Sequence, residues 1–269
     1  MTSLKIAALA LVAILAVGCG SAMPKPPVPT VCTTRALQGT CGPYGYPQIT
    51  GTTSSTYVGN NVWSPITGWK QALSVTAPGS WHVVASIPAG HTSVVSYPSV
   101  STSYGQSDNT STPLSAFSSI YSSFSETMNA TSSTSAWAAY DIWLGSGTSS
   151  AWSGEVMIQH DFAHNGPCPF EATASFGGSG GVPVQTWNLC QFGSELVWKL
   201  PSSEQAGSVD ILPMLNWLVT HGYLPQNSGL WAIGYGWEIC STGGVNETFR
   251  LNKFTITTTA STGNAASRT

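Results

Sequence analysis

Two glutamates lie within strand-like, apolar stretches of a chain that is otherwise poor in charge. Glu155 begins the run EVMIQHDF, and Glu238 lies within IGYGWEIC. The whole chain of 269 residues has only 11 Asp and Glu, so a carboxylate in such surroundings stands out. Two carboxylates that face one groove can cleave a glycosidic bond, one as acid and base and the other as nucleophile or base. The alternative is that both glutamates are ordinary solvent-facing residues of a β-sandwich.

Side chains alternate between the two faces of a strand, so each run predicts which residues accompany its glutamate. The first run places four residues on one face: Glu155, Met157, Gln159 and Asp161. It places four more on the opposite, apolar face: Val156, Ile158, His160 and Phe162. The second run places four residues with its glutamate: Gly234, Gly236, Glu238 and Cys240. Each run therefore combines a bulky core face with a smaller face that carries the carboxylate.

A third acidic residue, Asp141, lies in a similar run from Trp137 to Leu144. Alternation puts Asp141 on one face with Trp137, Ala139 and Trp143. We expect this face to belong to the same concave sheet as the two glutamates. The glycines beside Glu238 are expected to leave room for a ligand.

Most of the remaining chain also alternates with a period of two, and clusters of Gly, Pro, Ser and Asn separate the runs. Many short strands with turn residues between them predict an all-β sandwich or barrel. The predicted strands are 81–87, 93–97, 137–144, 155–162, 184–190, 196–200, 230–240 and 249–259. The Ser/Thr-rich segment 99–135 is predicted to be loops with one or two short strands.

One segment, from Ser208 to Gly222, predicts a single helix. Ser208 is a candidate N-cap, Asp210 falls in the first turn, and Pro213 lies near the first turn, where a missing N–H costs least. Five apolar residues share one face: Ile211, Leu212, Leu215, Leu218 and Val219. Gly222 suits the residue that follows the helix. We expect this helix to pack against the back of a sheet.

Composition narrows the class of ligand. Charged residues make up 7% of the chain and the net charge is −3, so no basic surface for nucleic acid is expected. The chain has 11 Trp, 9 Tyr and 28 Gly, with many hydroxyl side chains. This combination favours a neutral ligand that stacks and forms hydrogen bonds, such as a sugar, although aromatic residues also fill ordinary β cores. We expect no cofactor.

The N-terminus has the features of an export signal. Lys5 precedes an apolar run from Ile6 to Val17, which is too short to span a bilayer, so residues 1–18 are predicted to be a signal peptide. Small residues before Cys19 resemble a bacterial lipobox, which predicts lipidation of Cys19 and a Pro-rich tether over 19–31. The alternative is ordinary cleavage near Ala22. The remaining chain is expected to be one catalytic domain over 32–258, with a disordered tail over 259–269.

Export makes disulfide bonds plausible for the other five cysteines. Spacing suggests Cys32 with Cys41 and Cys168 with Cys190, which leaves Cys240 without a partner; spacing alone does not settle the pairing. A metal site is the alternative for four residues: His160, His164, Cys168 and Cys190. It lacks a closely spaced pair of ligands, so we expect no metal.

Five short segments occur in the order found in a known family: NNVW at 60–63, SYP at 96–98, YDIWL at 140–144, EVMI at 155–158 and GWEI at 236–239. Together with the helix and the GYLP segment at 222–225, they resemble glycoside hydrolase family 12. The resemblance extends from about Cys32 to Thr258.

That resemblance implies a β-jelly roll of two curved antiparallel sheets with an open cleft on the concave sheet. It also implies retaining hydrolysis of β-1,4-glucans. Together with the predicted signal peptide and lipobox, this leads us to expect an exported endoglucanase that is a monomer and contacts a membrane only through its N-terminal lipid. Glu155 corresponds to the nucleophile, Glu238 to the acid/base and Asp141 to the acid that hydrogen-bonds the nucleophile. Three further positions correspond to substrate-binding residues: Asn61, Trp63 and Met157. Trp143 and Gln159 lie on the same face by alternation and are further candidates.

The chain departs from the family pattern after the nucleophile. An aromatic residue usually continues that strand, whereas Gln159, His160 and Asp161 follow here. A lost platform would weaken one subsite and leaves the preferred polymer open. The alternatives are an enzyme specific for xyloglucan or mixed-linkage glucan, decided by segments 64–80 and 101–135, and an inactive sugar-binding lipoprotein.

Overall fold

The protein is described from a computed structural model for residues 30–32, 45–47, 56–62, 64, 66–105, 110–146, 152–163, 166 and 168–261. This part of the chain forms two stacked β-sheets, a separate strand pair and one α-helix. The separate pair is β1 (Thr30–Cys32) and β2 (Gly45–Pro47). The larger sheet contains β3 (Thr56–Gly59), β6 (Ser99–Ser103), β7 (Thr112–Pro113), β9 (Thr134–Ser146), β10 (Trp152–Ala163), β11 (Phe170–Phe176), β12 (Gln185–Phe192), β13 (Glu195–Lys199) and β15 (Ser228–Thr242). The smaller sheet contains β4 (Lys70–Ala77), β5 (Ser80–Ser86), β8 (Phe117–Met128), β14 (Ala206–Asp210) and β16 (Glu247–Ala260).

The larger sheet has the order β11-β12-β13-β10-β9-β15-β6-β3, with β7 beside β15. Its pairs are antiparallel except for β10 and β13, which run parallel. The smaller sheet has the order β14-β8-β16-β5-β4 and is antiparallel throughout. The prediction of an all-β, jelly-roll sandwich with one helix is therefore confirmed.

Alternate side chains of the central strands lie on the two sides of the larger sheet, one facing the core between the sheets and the other facing outward. On β9, Ala138, Tyr140 and Ile142 point into the main core between the sheets. The intervening residues Trp137 and Ala139 belong to a separate cluster on the outer side of the larger sheet. The sequence reading of these faces agrees with the structure, and the outer side of this sheet is the one that carries the predicted site.

The helix begins later than the sequence suggested. Helix α1 spans Ile211–Thr220, with Asp210 as its N-cap residue. Ser208 is not a cap, because residues 206–210 form β14 and pair with β8. A backbone that already donates to a neighbouring strand is not available for a helical turn, so tertiary pairing overrides the local cap pattern. Gly222 has φ of 80° and follows the helix as expected.

The Ser/Thr-rich segment is more regular than predicted. Instead of loops with one or two short strands, it contains β6, β7 and the 12-residue strand β8. Alternate residues of β8 are buried beneath the hydroxyl side chains: Ile120, Ser122, Phe124, Glu126 and Met128. The small inward Ser122 and the charged inward Glu126 obscured this period of two in the sequence.

The predicted strand 93–97 is wrong. Among the described residues, this segment contributes only isolated bridges, in which Ser96 joins Val62 on one side and Ile239 on the other. It acts as a spacer that anchors the Asn60–Asn61 turn to β15, one residue from Glu238. The described residues contain no helix long and apolar enough to cross a membrane.

Candidate active site

Three adjacent strands bring the predicted catalytic residues together. Strand β9 lies between β10 and β15, and Asp141 on β9 is in register with Met157 on one side and Gly234 on the other. Glu155 on β10 and Glu238 on β15 lie on the same outer side of the sheet as Asp141. The sheet therefore presents three carboxyl groups on one surface.

All three carboxyl residues are almost completely buried. The exposed fraction is 1% for Asp141, 2% for Glu155 and 3% for Glu238. Burial disfavours a charged carboxylate and raises its pKa unless a partner compensates. Within the described part of the chain, one oxygen of Glu155 and one of Asp141 are buried without a hydrogen-bond partner. Such groups are costly in a structural core and are typical of sites that bind a ligand or a proton.

Glu155 and Asp141 form a coupled pair. Burial raises the pKa of Glu155 well above its ordinary value, and the charge and hydrogen bond of Asp141 raise it further. Burial also raises the pKa of Asp141, while hydrogen bonds from Glu155 and Trp143 oppose that shift. Two carboxyls in this contact hold one proton between them, because a shared proton replaces repulsion with a hydrogen bond.

Glu238 is kept protonated by its surroundings. Burial raises its pKa well above the ordinary value, and the charges of Glu195 and Asp141 add to the shift. The indole of Trp137 opposes this shift, since its N–H points toward the carboxylate, although the contact does not complete a hydrogen bond of good geometry. A carboxyl held neutral in this way can act as a general acid.

A fourth carboxyl, Glu195, lies beside Glu155 and was not among the predicted site residues. It begins β13 and is in direct register with Glu155 on the parallel strand β10. Burial raises its pKa to about 7, with a contribution from the charge of Asp141. The sequence did carry a sign of it, because Glu195 alternates with Val197 at the start of a strand that follows a Gly-Ser turn. The predicted strand began one residue too late to include it.

A β-bulge corrects the predicted faces of β10. Gln159 pairs with Ala139 and Asp161 with Ala138, so His160 is an extra residue between two consecutive pairs. His160 and Asp161 consequently both point inward, and Phe162 returns to the outer side with Met157. The prediction that Asp161 lies on the cleft face and Phe162 in the core is therefore wrong. An aromatic side chain does continue this strand on the outer side, one position later than alternation would place it.

The inward residues of the bulge form a buried polar cluster between the sheets. Glu126 and Asp161 share a hydrogen bond, and Gln205 donates to Asp161 at 3.3 Å. Trp237 donates its indole N–H to Glu126 at 3.3 Å. His160 stacks on Phe124 with ring centroids 3.8 Å apart and contacts the Glu204 carbonyl oxygen at 2.9 Å. This cluster lies behind the sheet and does not contact the site itself.

The predicted substrate-binding residues fall at different places around the carboxyls. Met157 and Gln159 are buried beside each other, and the Gln159 amide contacts the Met157 sulfur at 3.0 Å. Trp143 is buried against Trp231, toward the other end of β9. Asn61 lies in a turn with φ of 39°, a backbone conformation that is uncommon for residues other than glycine. Trp63 lies outside the described residues and stays a prediction.

Tyr97 is a second site residue to which the sequence assigned no role. Its hydroxyl donates to the Ala139 carbonyl oxygen at 3.1 Å, which places the ring across the outer side of β9. Burial raises its pKa, and the charges of Asp141 and Glu238 raise it further, so the phenol stays neutral beside the carboxyls. The SYP segment was recognised in the sequence, but its position over the sheet depends on the bridges made by Ser96.

The glycines beside Glu238 serve the protein rather than a ligand. A Cβ added to Gly236 would lie 2.0 Å from the Pro98 carbonyl oxygen, and one added to Gly234 would lie 3.2 Å from the Tyr97 ring. The expected room for a ligand is thus occupied by the chain around Tyr97. These glycines let that segment approach β15 closely enough to form its bridges.

The structure shows the oxidation state of three of the cysteines. Cys168 and Cys190 form a disulfide with Cα atoms 5.3 Å apart, and Cys240 is also in a disulfide, with a partner outside the residues whose side chains are described. Pairing of Cys32 with Cys41 involves side chains that are not described. The metal alternative is wrong, because two of its donors are oxidised and His160 faces the core. Among the described residues, no group of three or more His, Cys, Asp or Glu side chains is arranged to hold a metal ion, and His164 lies outside them.

Comparison with known proteins places this fold among family 12 glycoside hydrolases. No protein-family model and no curated protein sequence matches the chain. Among solved structures, the xyloglucanase domain of NopAA, a type three effector from Sinorhizobium fredii in complex with cellobiose, is 25% identical, with a TM-score of 0.65 over 82% of this chain and 100% of that one. A native family 12 xyloglucanase from Bacillus licheniformis is 21% identical, with a TM-score of 0.63 over 76% of this chain and 93% of that one. Endoglucanase cel12A from Rhodothermus marinus is 20% identical, with a TM-score of 0.64 over 82% and 98%. The resemblance carried by the sequence motifs is thus confirmed in the fold, which is that of a glycosidase family.

Proposed function

We propose that the protein is an exported, retaining endo-β-1,4-glucanase that acts on cellulose-like or mixed-linkage β-glucans. The observation that carries this proposal is the placement of Glu155, Asp141 and Glu238 on one face of three adjacent strands. The fold that places them is shared with the endoglucanase and the xyloglucanases compared above. The supporting electrostatics are the shared proton of the Asp141–Glu155 pair and the neutral state of Glu238.

In the first step, Glu155 attacks the anomeric carbon while Glu238 gives its proton to the leaving glycosidic oxygen. The C–O bond to the leaving sugar breaks, and a covalent bond forms between the anomeric carbon and the Glu155 carboxylate. For this step the proton of the Asp141–Glu155 pair must reside on Asp141, which then donates a hydrogen bond to the nucleophile. Burial of the site strengthens each of these interactions.

In the second step, Glu238 acts as a base. Once Glu155 is esterified its negative charge is lost, so the pKa of Glu238 falls and its carboxylate can accept a proton from water. The water oxygen then displaces Glu155 from the anomeric carbon. Two inversions restore the original configuration, which is the meaning of retention.

A xyloglucan-specific enzyme is the second candidate. Two of the solved neighbours described above are xyloglucanases, one of them 25% identical. Rates on carboxymethylcellulose, barley β-glucan and xyloglucan measured in parallel distinguish the two candidates. Binding of all three polymers without hydrolysis would instead indicate an inactive sugar-binding protein.

Two variants test the roles of the glutamates with an activated aryl cellobioside. Glu238→Ala should still form the glycosyl-enzyme, because this leaving group needs no proton, and added azide should complete the cycle. The product should be the β-glycosyl azide, since Glu155 inverts the centre once and azide inverts it again. Glu155→Ala should lose all turnover of natural glucans, and azide should give the α-product through a single inversion.

The anomeric proton resonance of each azide product gives the answer. Opposite anomers from the two variants support the assignment. The same anomer from both, or full activity in either variant, would overturn the assignment and the retaining mechanism.

We also propose that the enzyme is held at the cell surface through a lipid on Cys19. The support is the sequence alone, namely Lys5, the apolar run to Val17 and the Gly18-Cys19 pair. Cys19→Ala should move the protein from the membrane fraction to the soluble fraction while the specific activity stays unchanged. A wild-type protein that is already soluble and begins after Ala22 would show that the segment is an ordinary signal peptide.

A further inference from the structure

Glu195 occupies a position for which the proposed double displacement has no role. In the parallel pair of β10 and β13, Glu195 is the register partner of Glu155. Neighbouring strands are about 4.8 Å apart, and register partners point to the same side of the sheet. Val197, the next residue on the same side of β13, belongs to the outer cluster with Met157. Glu195 and Glu155 therefore stand next to each other on the surface that carries the site.

The surroundings of Glu195 contain little that would neutralise its charge. Its side chain is 7% exposed, and none of the described residues gives its carboxylate a hydrogen bond or an ion pair. Among the described residues, the titratable groups that interact electrostatically with Glu195 are all acidic: Glu155 on β10, Asp141 on β9 and Glu238 on β15.

Lys199 is the nearest basic residue of the same strand. It lies four positions along β13, and its ammonium group lies over the Phe162 ring at 4.4 Å from the centroid. At about 3.3 Å of rise per residue, four positions put Lys199 roughly 13 Å from Glu195 along the strand. Its charge is thus directed to the far end of this face, and Glu195 adds net negative charge beside the catalytic pair.

We propose that Glu195 is a positioning residue for the catalytic pair. Its negative charge widens, on the alkaline side, the pH range in which Glu238 keeps its proton while Glu155 is ionised. The inference rests on the proposed function, because it assigns Glu195 a role in that reaction. A negative charge beside the pair makes the loss of its last proton less favourable. Glu238 therefore stays protonated at a higher pH than it would beside a neutral residue.

The sign of the effect follows from the charge of Glu195. Its pKa lies at about 7, so Glu195 is mostly neutral on the acid side of pH 7 and mostly charged on the alkaline side. Replacing it by glutamine should therefore move the alkaline limb of the activity profile downward and move the acid limb less. Strand β13 lies three strand spacings from β15, about 14 Å, and at an effective dielectric constant near 20 that separation gives a shift of about 0.5–1 pH unit for Glu238.

Three variants compared with wild type on barley β-glucan test the proposal. Glu195→Gln keeps the shape but removes the charge, and its alkaline limb should move to lower pH. Glu195→Asp keeps the charge, so its alkaline limb should stay near that of wild type. Glu171→Gln removes an exposed glutamate of β11 and should leave the whole profile unchanged. Equal alkaline limbs in wild type and Glu195→Gln would overturn the proposal, even if Glu195→Gln lowers the rate.

A second readout does not depend on turnover. Protein labelled with ¹³C at the glutamate carboxyls can be titrated by NMR, with Glu155 and Glu238 assigned from their glutamine variants. In Glu195→Gln the Glu238 carboxyl should titrate at lower pH than in wild type, and the Glu155 carboxyl should change less; an unchanged titration of Glu238 would overturn the proposal. A protein without activity on any glucan would refute the proposed function, while this titration would still decide the role of Glu195.

Discussion

Glu126 is a carboxyl buried in the interior of the sandwich, away from the catalytic surface. Burial raises its pKa to about 9, and the hydrogen bond and charge of Asp161 contribute to the shift. A carboxyl whose pKa is raised on folding stabilises the native state most at low pH. That contribution is complete below the unfolded value near 4.5 and is lost as the pH rises toward 9.

Replacing Glu126 by glutamine should therefore stabilise the protein on the alkaline side. The amide oxygen can still accept the Trp237 N–H, and the amide nitrogen can donate to Asp161. Linkage at about 1.36 kcal/mol per pH unit predicts that the gain at pH 8 exceeds the gain at pH 5 by up to about 4 kcal/mol. Urea unfolding at both pH values measures this difference, and Glu171→Gln is the exposed control. An equal effect of Glu126→Gln at the two pH values would contradict the buried, protonated state.

His160 acts in the opposite direction in the same cluster. Burial lowers its pKa to about 4, so its contribution to stability is present above the ordinary value of 6.5 and is lost as the pH falls toward 4. The two residues together predict that the wild-type protein loses stability on both sides of a weakly acidic optimum.

Phe162 provides an aromatic face beyond Met157 on the nucleophile strand. Loss of stacking on one sugar ring should cost about 1–3 kcal/mol, a scale borrowed from aromatic stacking on nucleic-acid bases. Phe162→Ala should therefore raise KM on long glucans by roughly 5- to 150-fold, with a smaller change in kcat. Phe170→Ala, at a residue that is 60% exposed on β11, is the matched control. Unchanged KM in Phe162→Ala would remove this residue from the binding surface.

The position of Phe162 shows where reading single residues from the sequence fails. Alternation correctly assigned Glu155, Met157 and Gln159 to one face, because regular pairing with β9 continues to Gln159. The extra residue His160 reverses the faces that follow, and it is accommodated by the interior partners of Asp161 on β8 and after β13. Those partners are distant in sequence, so no local sequence pattern predicts the bulge.

At the scale of elements, close approach of the Tyr97 segment to β15 depends on Gly236. A Cβ at this position would meet backbone atoms of Pro98 and Ser99 at 2.0 and 2.8 Å, and neither can move without breaking the β6 pairing. Gly236→Ala should therefore displace the strand that carries Glu238 and reduce both activity and stability, the latter by more than about 2 kcal/mol.

Gly222→Ala is the matched control for Gly236→Ala. Gly222 also requires its special conformation, with φ of 80°, but an added Cβ would meet no atom within 4 Å. The cost should be about 1 kcal/mol from backbone strain alone, with activity preserved. Thermal unfolding and β-glucan hydrolysis of both variants test the comparison. Similar losses of activity in the two would show that Gly236 is not specifically needed beside Glu238.

Strand pairing also explains which elements could be predicted. Runs with large inward residues, such as those that contain Tyr140 or Trp237, alternate clearly with a period of two and so predict strands. This pattern identified β5, β9, β10, β12, β13, β15 and β16. Strand β8 was missed because its inward positions include Ser122 and Glu126, and β14 because Ser208 also suits a helix cap. In both cases partners from distant parts of the chain decide the structure.

At the scale of the whole molecule, the sequence predicted the layered architecture and the three acidic residues of one sheet. It did not predict which other charged residues the strand pairing brings next to these three. Glu195 is 40 residues from Glu155 in the chain, yet a parallel pairing places them side by side. A crossover of this kind cannot be read from the periodicity of either strand, so the fourth carboxyl emerges only from the fold.

The Cys168–Cys190 disulfide supports the edge of the larger sheet, where β11 pairs only with β12. It closes a chain segment with a sequence separation of 22, and in the chain-entropy description a loop of this size stabilises the fold by about 3 kcal/mol. The double variant Cys168→Ser/Cys190→Ser should lower the free energy of unfolding by about 2–4 kcal/mol. Activity under native conditions should fall less, because Glu155 and Glu238 lie on inner strands.

Urea unfolding of the double variant measures this contribution without reducing the disulfide of Cys240. Ser175→Ala is the matched control, since it removes a 2.9 Å hydrogen bond to Thr186 between the same two strands and should cost less than about 1 kcal/mol. A double variant as stable as Ser175→Ala would show that β12 holds the edge strand without the covalent bond. The expected larger loss is consistent with the proposed export, since an oxidising compartment is where such a bond forms and persists.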